Sequence, residues 1–284
     1  MDPVDARRPR AYHRLMSAIT VRRPGFEWPS DLPVAPIPSD LGRSCELVAL
    51  SFTLPYLEPY LIRTMRVAAK EIDDESLRAD LKAFSGQEAQ HYQNHARIND
   101  VVRAQLGETA AAAMRELEDE LEADYRRFTD EKSLAFNLAY AEGFEAMTFA
   151  LARSAFSDSI PSDIVAEWAD LFTWHLAEEV EHRTVTFDAY DRIVGRYVHR
   201  TAVGSWSQMH FVGYLARMAT VLRRDLGEPD ATLRRTVWDA ARRNWRNGTI
   251  PGTLRALSPR YNPRNVPISD DVRTIAASQG VDLT

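Results

Sequence analysis

The greatest concentration of chemically capable side chains lies in two short runs, Glu88-Ala-Gln-His91-Tyr-Gln-Asn-His95 and His175-Leu-Ala-Glu-Glu179-Val-Glu-His182. They read E-x-x-H-x-x-x-H and H-x-x-x-E-x-x-H, with mirrored spacing. On a helix, positions i, i+3 or i+4, and i+7 share one face. Each run therefore aims one carboxylate and two imidazoles in a common direction. Leu77, Leu81, Phe84, Glu88, His91, His95, Ile98 and Val102 keep an unbroken 4-3-4-3 spacing, the core-facing stripe of a bundle helix. Ile164, Trp168, Phe172, His175, Glu179, His182 and Thr186 nearly repeat it. The polar groups thus interrupt apolar stripes. Burying them is costly unless their charge is compensated, and a metal ion is the usual compensation.

Further acids fall in apolar stripes on other segments. Glu58 shares a face with Leu54, Leu61 and Met65; Glu142 and Glu145 lie inward with Ala135, Leu138, Phe149 and Ala152. Glu58 precedes Glu88-x-x-His91 by 30 residues, and Glu142 precedes Glu179-x-x-His182 by 37. A four-helix bundle with one Glu from each of two helices and one Glu-x-x-His from each of the other two is a known recipe for a dinuclear metal centre. Four carboxylates neutralise and bridge two divalent ions, and two imidazoles add one nitrogen per metal.

The elements that must position these groups are all helical. Pro55 suggests a helix from about 55 to 72, and the acidic starter Asp73-Asp74-Glu75 one from about 75 to 106. Helices follow over about 109–129, 131–157, 161–195, 199–226 and 230–248, with a short one near 270–278. No strand-like alternation persists. The expected fold is all-α: a four-helix bundle with additional C-terminal helices. An N-terminal arm (1–43), a metal-binding bundle (44–198) and appended helices with a tail (199–284) form the expected domains.

Composition narrows the function classes. One cysteine, Cys45, excludes intramolecular disulfides and thiolate clusters and suits a reducing cytoplasm. The first residues lack the apolar core of a signal peptide, and no run reaches the ~18 apolar residues of a membrane span. Residues 1–190 carry 20 Lys+Arg against 33 Asp+Glu, and residues 191–284 carry 15 Arg against 8 Asp+Glu. That asymmetry is expected to dock the basic C-terminal third on the acidic bundle, with an anionic group or acidic partner as the alternative. Nucleic acid is not expected, since the basic residues form no compact aromatic-interleaved patch.

The layout resembles the ferritin-like di-iron carboxylate superfamily. More narrowly, ALSFTLPYLEPYLIRTMR, FSGQEAQHYQNHARIN and WHLAEEVEHRTVTFDAY resemble a bacterial family labelled "predicted metal-dependent hydrolase", over roughly residues 45–265. The resemblance implies ligand roles for Glu58, Glu88, His91, Glu142, Glu179 and His182, with the four glutamates at the catalytic centre. His175 matches the extra histidine of the H-x-x-x-E-x-x-H motif in di-iron arylamine N-oxygenases. His95 would be a symmetry-related donor. Each of these two histidines is either a ligand or the partner that orients one, and Glu145 competes with Glu142. Two departures stand out: Glu142-Gly143-Phe144 where the family tends to have Glu-His-Phe, and Arg260–Pro267 without the expected histidine and tryptophan.

The expected cofactors are two metal ions, iron or an Fe/Mn pair, with dioxygen as co-substrate. The expected activity is oxidation of a small organic molecule by hydroxylation, N-oxygenation or desaturation. Metal-dependent hydrolysis is the runner-up, and ferroxidase-type iron handling comes third. A separate electron donor such as a ferredoxin would serve the first reading, and a homodimer is an expected assembly.

Overall fold

A computed structural model describes residues 19–157 and 161–283; the expected arm therefore lies partly outside the described residues. Its helices are α1 (Leu41–Ala68), α2 (Glu75–Arg103), α3 (Glu108–Glu131), α4 (Leu134–Ser157), α5 (Ala166–His182), α6 (Val185–Ile193), α7 (Tyr197–Asp225), α8 (Leu233–Arg246), α9 (Thr249–Arg255) and α10 (Asp270–Ser278). No strand occurs among the described residues, and the fold is all-α.

The first helix corrects a sequence expectation. It starts at Leu41, where Asp40 caps it by accepting from Arg43 N at 2.9 Å, and it continues through both Pro55 and Pro59. Proline in a helix interior removes an i→i−4 bond, so long-range partners must take up the freed carbonyl. In α2, Asp74 accepts from Leu77 N at 3.0 Å and Glu75 occupies the first turn. The helix expected over 161–195 is two helices, α5 and α6, divided just after His182.

α1 packs against α2 and α4, while α5 packs against α2 and α4, closing a four-helix ring. α3 and α7 cover its outside, both against α1. α7 contributes Phe211, Met218, Ala219 and Leu222 to the main core. The α4–α7 contact depends on Gly143, where a Cβ would fall 2.2 Å from the Gly204 Cα. Glycine at this position thus permits backbone-close packing.

Ion pairs tie the basic C-terminal third to the acidic bundle. Arg200 meets Glu142 at 2.8 Å and Arg217 meets Glu120 at 2.7 Å, while Arg243 pairs with Glu46 and Arg264 with Asp188. The segment before α1 is docked as well: Ile19, Leu32 and Ile37 are buried, and Trp168 Nε1 donates to Pro33 O at 3.0 Å. Among the described residues no helix is long and apolar enough to cross a membrane.

Candidate metal centre

The ring of α1, α2, α4 and α5 encloses the polar side chains that interrupt its stripes. Glu58 comes from α1, Glu88 and His91 from α2, Glu145 from α4, and His175, Glu179 and His182 from α5; all are buried. They form three overlapping groups: Glu58–His91–His175, Glu88–His91–Glu179 and Glu88–Glu145–His182. Within each group the potential ligand atoms lie within 4.8 Å of one another. The first and third groups share no residue, and Glu88 and His91 connect them through the second. This is the layout of two adjacent cation positions.

Distances give the same picture. His175 Nε2 lies 3.0 Å from Glu179 Oε1 and 3.7 Å from Glu58 Oε1. His91 Nδ1 is 3.7 Å from both Glu88 and Glu179. His182 Nδ1 is 3.0 Å from Glu88, 3.6 Å from Glu179 and 3.9 Å from Glu145. Yet both oxygens of Glu58, Glu88 and Glu145, together with Glu179 Oε2, His91 Nδ1 and His182 Nδ1, are buried without a hydrogen-bond partner. Even the 3.0 Å approach of His182 to Glu88 lacks hydrogen-bond geometry. Orphaned buried polar atoms are rare in folded proteins, and each costs ~1–3 kcal/mol or more. A convergence of them in one place, from four carboxylates and two imidazoles, fits a cation site.

The outer nitrogens of the imidazoles are all engaged. His91 Nε2 meets Glu178 Oε2 at 2.8 Å, and Arg22 holds the other Glu178 oxygen at 3.0 Å. His182 Nε2 meets Gln87 Oε1 at 2.8 Å. The Gln87 amide is fixed because its Nε2 donates to Glu181 at 2.8 Å and to Thr20 O at 3.0 Å. Both histidines therefore donate outward and turn Nδ1 inward, the arrangement that orients metal-binding imidazoles. Phe84 packs on His182 and Trp174 on His91, with centroids 4.5 and 4.8 Å apart, so apolar rings flank the donors.

Burial and the crowding of acids shift the proton affinities of these groups. Burial and then the neighbouring Glu88, Glu179 and Glu145 push the Glu58 carboxyl well above its usual range. Burial, followed by Glu179, does the same to Glu145. Burial would also raise Glu179, but His182 and His175 pull it well below the ordinary value. Burial opposes charge on His91 too, yet its bond to Glu178 and the nearby Glu88 carboxylate push it up to about 9.

Two expected ligands stand elsewhere. Glu142 belongs to none of the three groups; its Oε1 accepts from Arg200 Nη1 at 2.8 Å, and Glu145, one turn on, faces the centre instead. Arg200 also lies over the Tyr261 ring, 5.4 Å from its centroid. His95 also lies outside the groups, and both its nitrogens are taken, by Ser51 Oγ and by His175 Nδ1, each at 2.8 Å. His95 therefore partners His175, and only His175 of the two reaches the centre. Sequence reasoning missed the supporting roles of Gln87, Glu178, Ser51 and Asn99. Their signal was adjacency to the ligand stripe, or helical spacing from it, which many non-functional residues share.

No curated protein and no solved structure gives a significant match to the chain. A family model described as "Predicted metal-dependent hydrolase" matches residues 20–266, which include every residue of the centre. The buried Glu/His constellation and that match agree on metal dependence, and the chain belongs to this predicted metal-dependent hydrolase family.

Proposed function

We propose that the chain is a dinuclear metal enzyme, with two divalent cations held by Glu58, Glu88, Glu145, Glu179, His91, His175 and His182. The observation that carries this reading is the convergence of unpartnered buried carboxylate and imidazole atoms between α1, α2, α4 and α5. Four carboxylates with neutral imidazoles amount to four negative charges, which two divalent ions balance. The favoured activity is hydrolysis of a small ester, amide or phosphoester, in keeping with the family description. Bound divalent cations supply the chemistry for it by acidifying water and polarising a carbonyl or phosphoryl oxygen. The chain's own part is to fix donor directions through Glu178 and Gln87 and to flank the centre with Phe84 and Trp174.

One observation favours a second reading, oxidation of a small organic substrate with iron and dioxygen. The centre is rich in carboxylate oxygen and lies along buried bundle helices, as in ferritin-like di-iron proteins. Two parallel assays separate the readings. Zinc- or manganese-loaded protein is tested against chromogenic esters, amides and phosphoesters, and reduced iron-loaded protein is tested for oxygen consumption. Metal-dependent hydrolysis that disappears in Glu145→Ala supports the first reading. Oxygen consumption by the iron form, with no turnover on the hydrolytic panel, transfers the assignment to the second.

A further inference from the structure

Pro55 has no N–H, so the Ser51 carbonyl four residues earlier in α1 loses its helical donor. Asn99 Nδ2, on α2, donates to that carbonyl at 2.8 Å. This bond fixes the Asn99 amide, leaving its Oδ1 2.6 Å from the Ser51 hydroxyl. An amide oxygen only accepts, so the hydroxyl hydrogen points to Asn99. Ser51 Oγ must then accept from its other partner, His95 Nδ1, at 2.8 Å.

The polarity passes onward. No carboxylate lies within ion-pair reach of His95 among the described residues, where Ser51, His175 and the Phe172 ring surround it. A second proton there would be an uncompensated buried charge, so His95 Nε2 is a lone pair. That lone pair faces His175 Nδ1 at 2.8 Å and accepts its hydrogen. In a neutral His175 ring Nε2 is then a lone pair, 3.0 Å from Glu179 Oε1 in hydrogen-bond geometry and 3.7 Å from Glu58. Two acceptors facing each other across 3.0 Å call for a cation between them, a proton in the metal-free protein or a metal ion where one binds.

We propose that Ser51, Asn99 and His95, with their polarity set by Pro55, are positioning residues that hold His175 in its Nδ1–H tautomer and aim its Nε2 lone pair into the metal centre. His91 and His182 are each oriented by one direct partner and turn Nδ1 inward; His175 turns Nε2 inward at the end of a relay spanning α1, α2 and α5. The inference rests on the dinuclear reading above for its consequence, but the tautomer itself is observable without metal.

Long-range ¹⁵N–¹H correlation on the metal-free protein, with His175 assigned by substitution, reads the tautomer directly. Zinc(II) titration of wild type, Ser51→Ala and Ser51→Thr reads its effect on binding. The expected wild-type signals are a protonated Nδ1 on His175 and a bare Nε2 on His95. In Ser51→Ala, His95 is free to reverse, so His175 Nδ1 should lose its hydrogen and zinc affinity should fall about 10–100-fold. Ser51→Thr keeps the hydroxyl and should restore both readouts. A bare Nδ1 on His175 in the wild type, or wild-type zinc affinity in folded Ser51→Ala, overturns the proposal. If Ser51→Ala does not fold, the wild-type tautomer decides alone. A wild-type protein that shows the Nδ1–H tautomer yet binds no zinc would refute the metal reading and support the relay.

Discussion

Glu178 Oε2 lies 2.8 Å from His91 Nε2, while Arg22 holds the other oxygen of the same carboxylate at 3.0 Å. A residue from the segment preceding α1 thereby fixes the carboxylate that fixes a donor in the centre. Burial would raise the Glu178 carboxyl, but its bonds to His91 and Arg22 hold it below the ordinary value. Glu178→Ala should weaken zinc binding about 10–100-fold without changing the number of ions bound. Isothermal titration calorimetry checks both quantities, and an unchanged affinity would show that His91 needs no such support.

Glu142 and Glu145, one turn apart on α4, should respond differently to truncation. Glu145→Ala removes a donor from the Glu88–Glu145–His182 group and should lower the metal content by about one ion. Glu142→Ala should leave metal content intact but strand the buried Arg200 cation, at a cost of about 3–5 kcal/mol in stability. Elemental analysis with chemical denaturation separates the two outcomes. Loss of metal from folded Glu142→Ala would reverse their assignment.

The proton on His91 sets a pH dependence. With the metal-free ring pushed up to about 9 by Glu178 and Glu88 against the effect of burial, it carries an extra proton at neutral pH. A cation arriving at Nδ1 must displace that proton. Affinity should therefore rise with pH, about tenfold per unit for each proton displaced, and this contribution should level off above about 9. Calorimetry at pH 7.5 in buffers of different ionisation enthalpy should detect proton release, and no buffer dependence would contradict it.

Gly143 meets Gly204 where α4 and α7 come closest. A methyl at Gly143 would fall 2.2 Å from the Gly204 Cα, a contact with backbone that no rotamer relieves. Gly143→Ala should destabilise the fold by about 3 kcal/mol, since overpacking that shifts backbone lies at the costly end of such changes. A lowered melting temperature checks this, and an unchanged one would mean that α7 can move away freely.

Much of the fold could be read from periodicity, because the 3.6-residue stripe of a bundle helix is written locally. The Glu88-x-x-His91 and Glu179-x-x-His182 runs show it: their faces follow from spacing alone, and both lie in the cluster. Long-range partners decided what could not be read. Glu142 and Glu145 both point inward on α4, and the landing of Arg200, 58 residues later, takes Glu142 out of the centre. Pro55 reads locally as a helix start, yet α1 passes through it, with Asn99 from α2 supplying the donor that proline lacks. His95 and His175 occupy equivalent positions in their mirrored runs; Ser51 on α1 engages one and leaves the other facing Glu179.

The most direct test of the central claim is the metal content of folded protein after saturation with zinc and removal of excess, for wild type and Glu88→Ala side by side. Glu88 belongs to two of the three groups and links the two cation positions. A dinuclear centre predicts about two ions per wild-type chain and less than one in Glu88→Ala, with helicity retained by circular dichroism. A folded wild-type protein that retains no metal, or equal loading of both proteins, would contradict it.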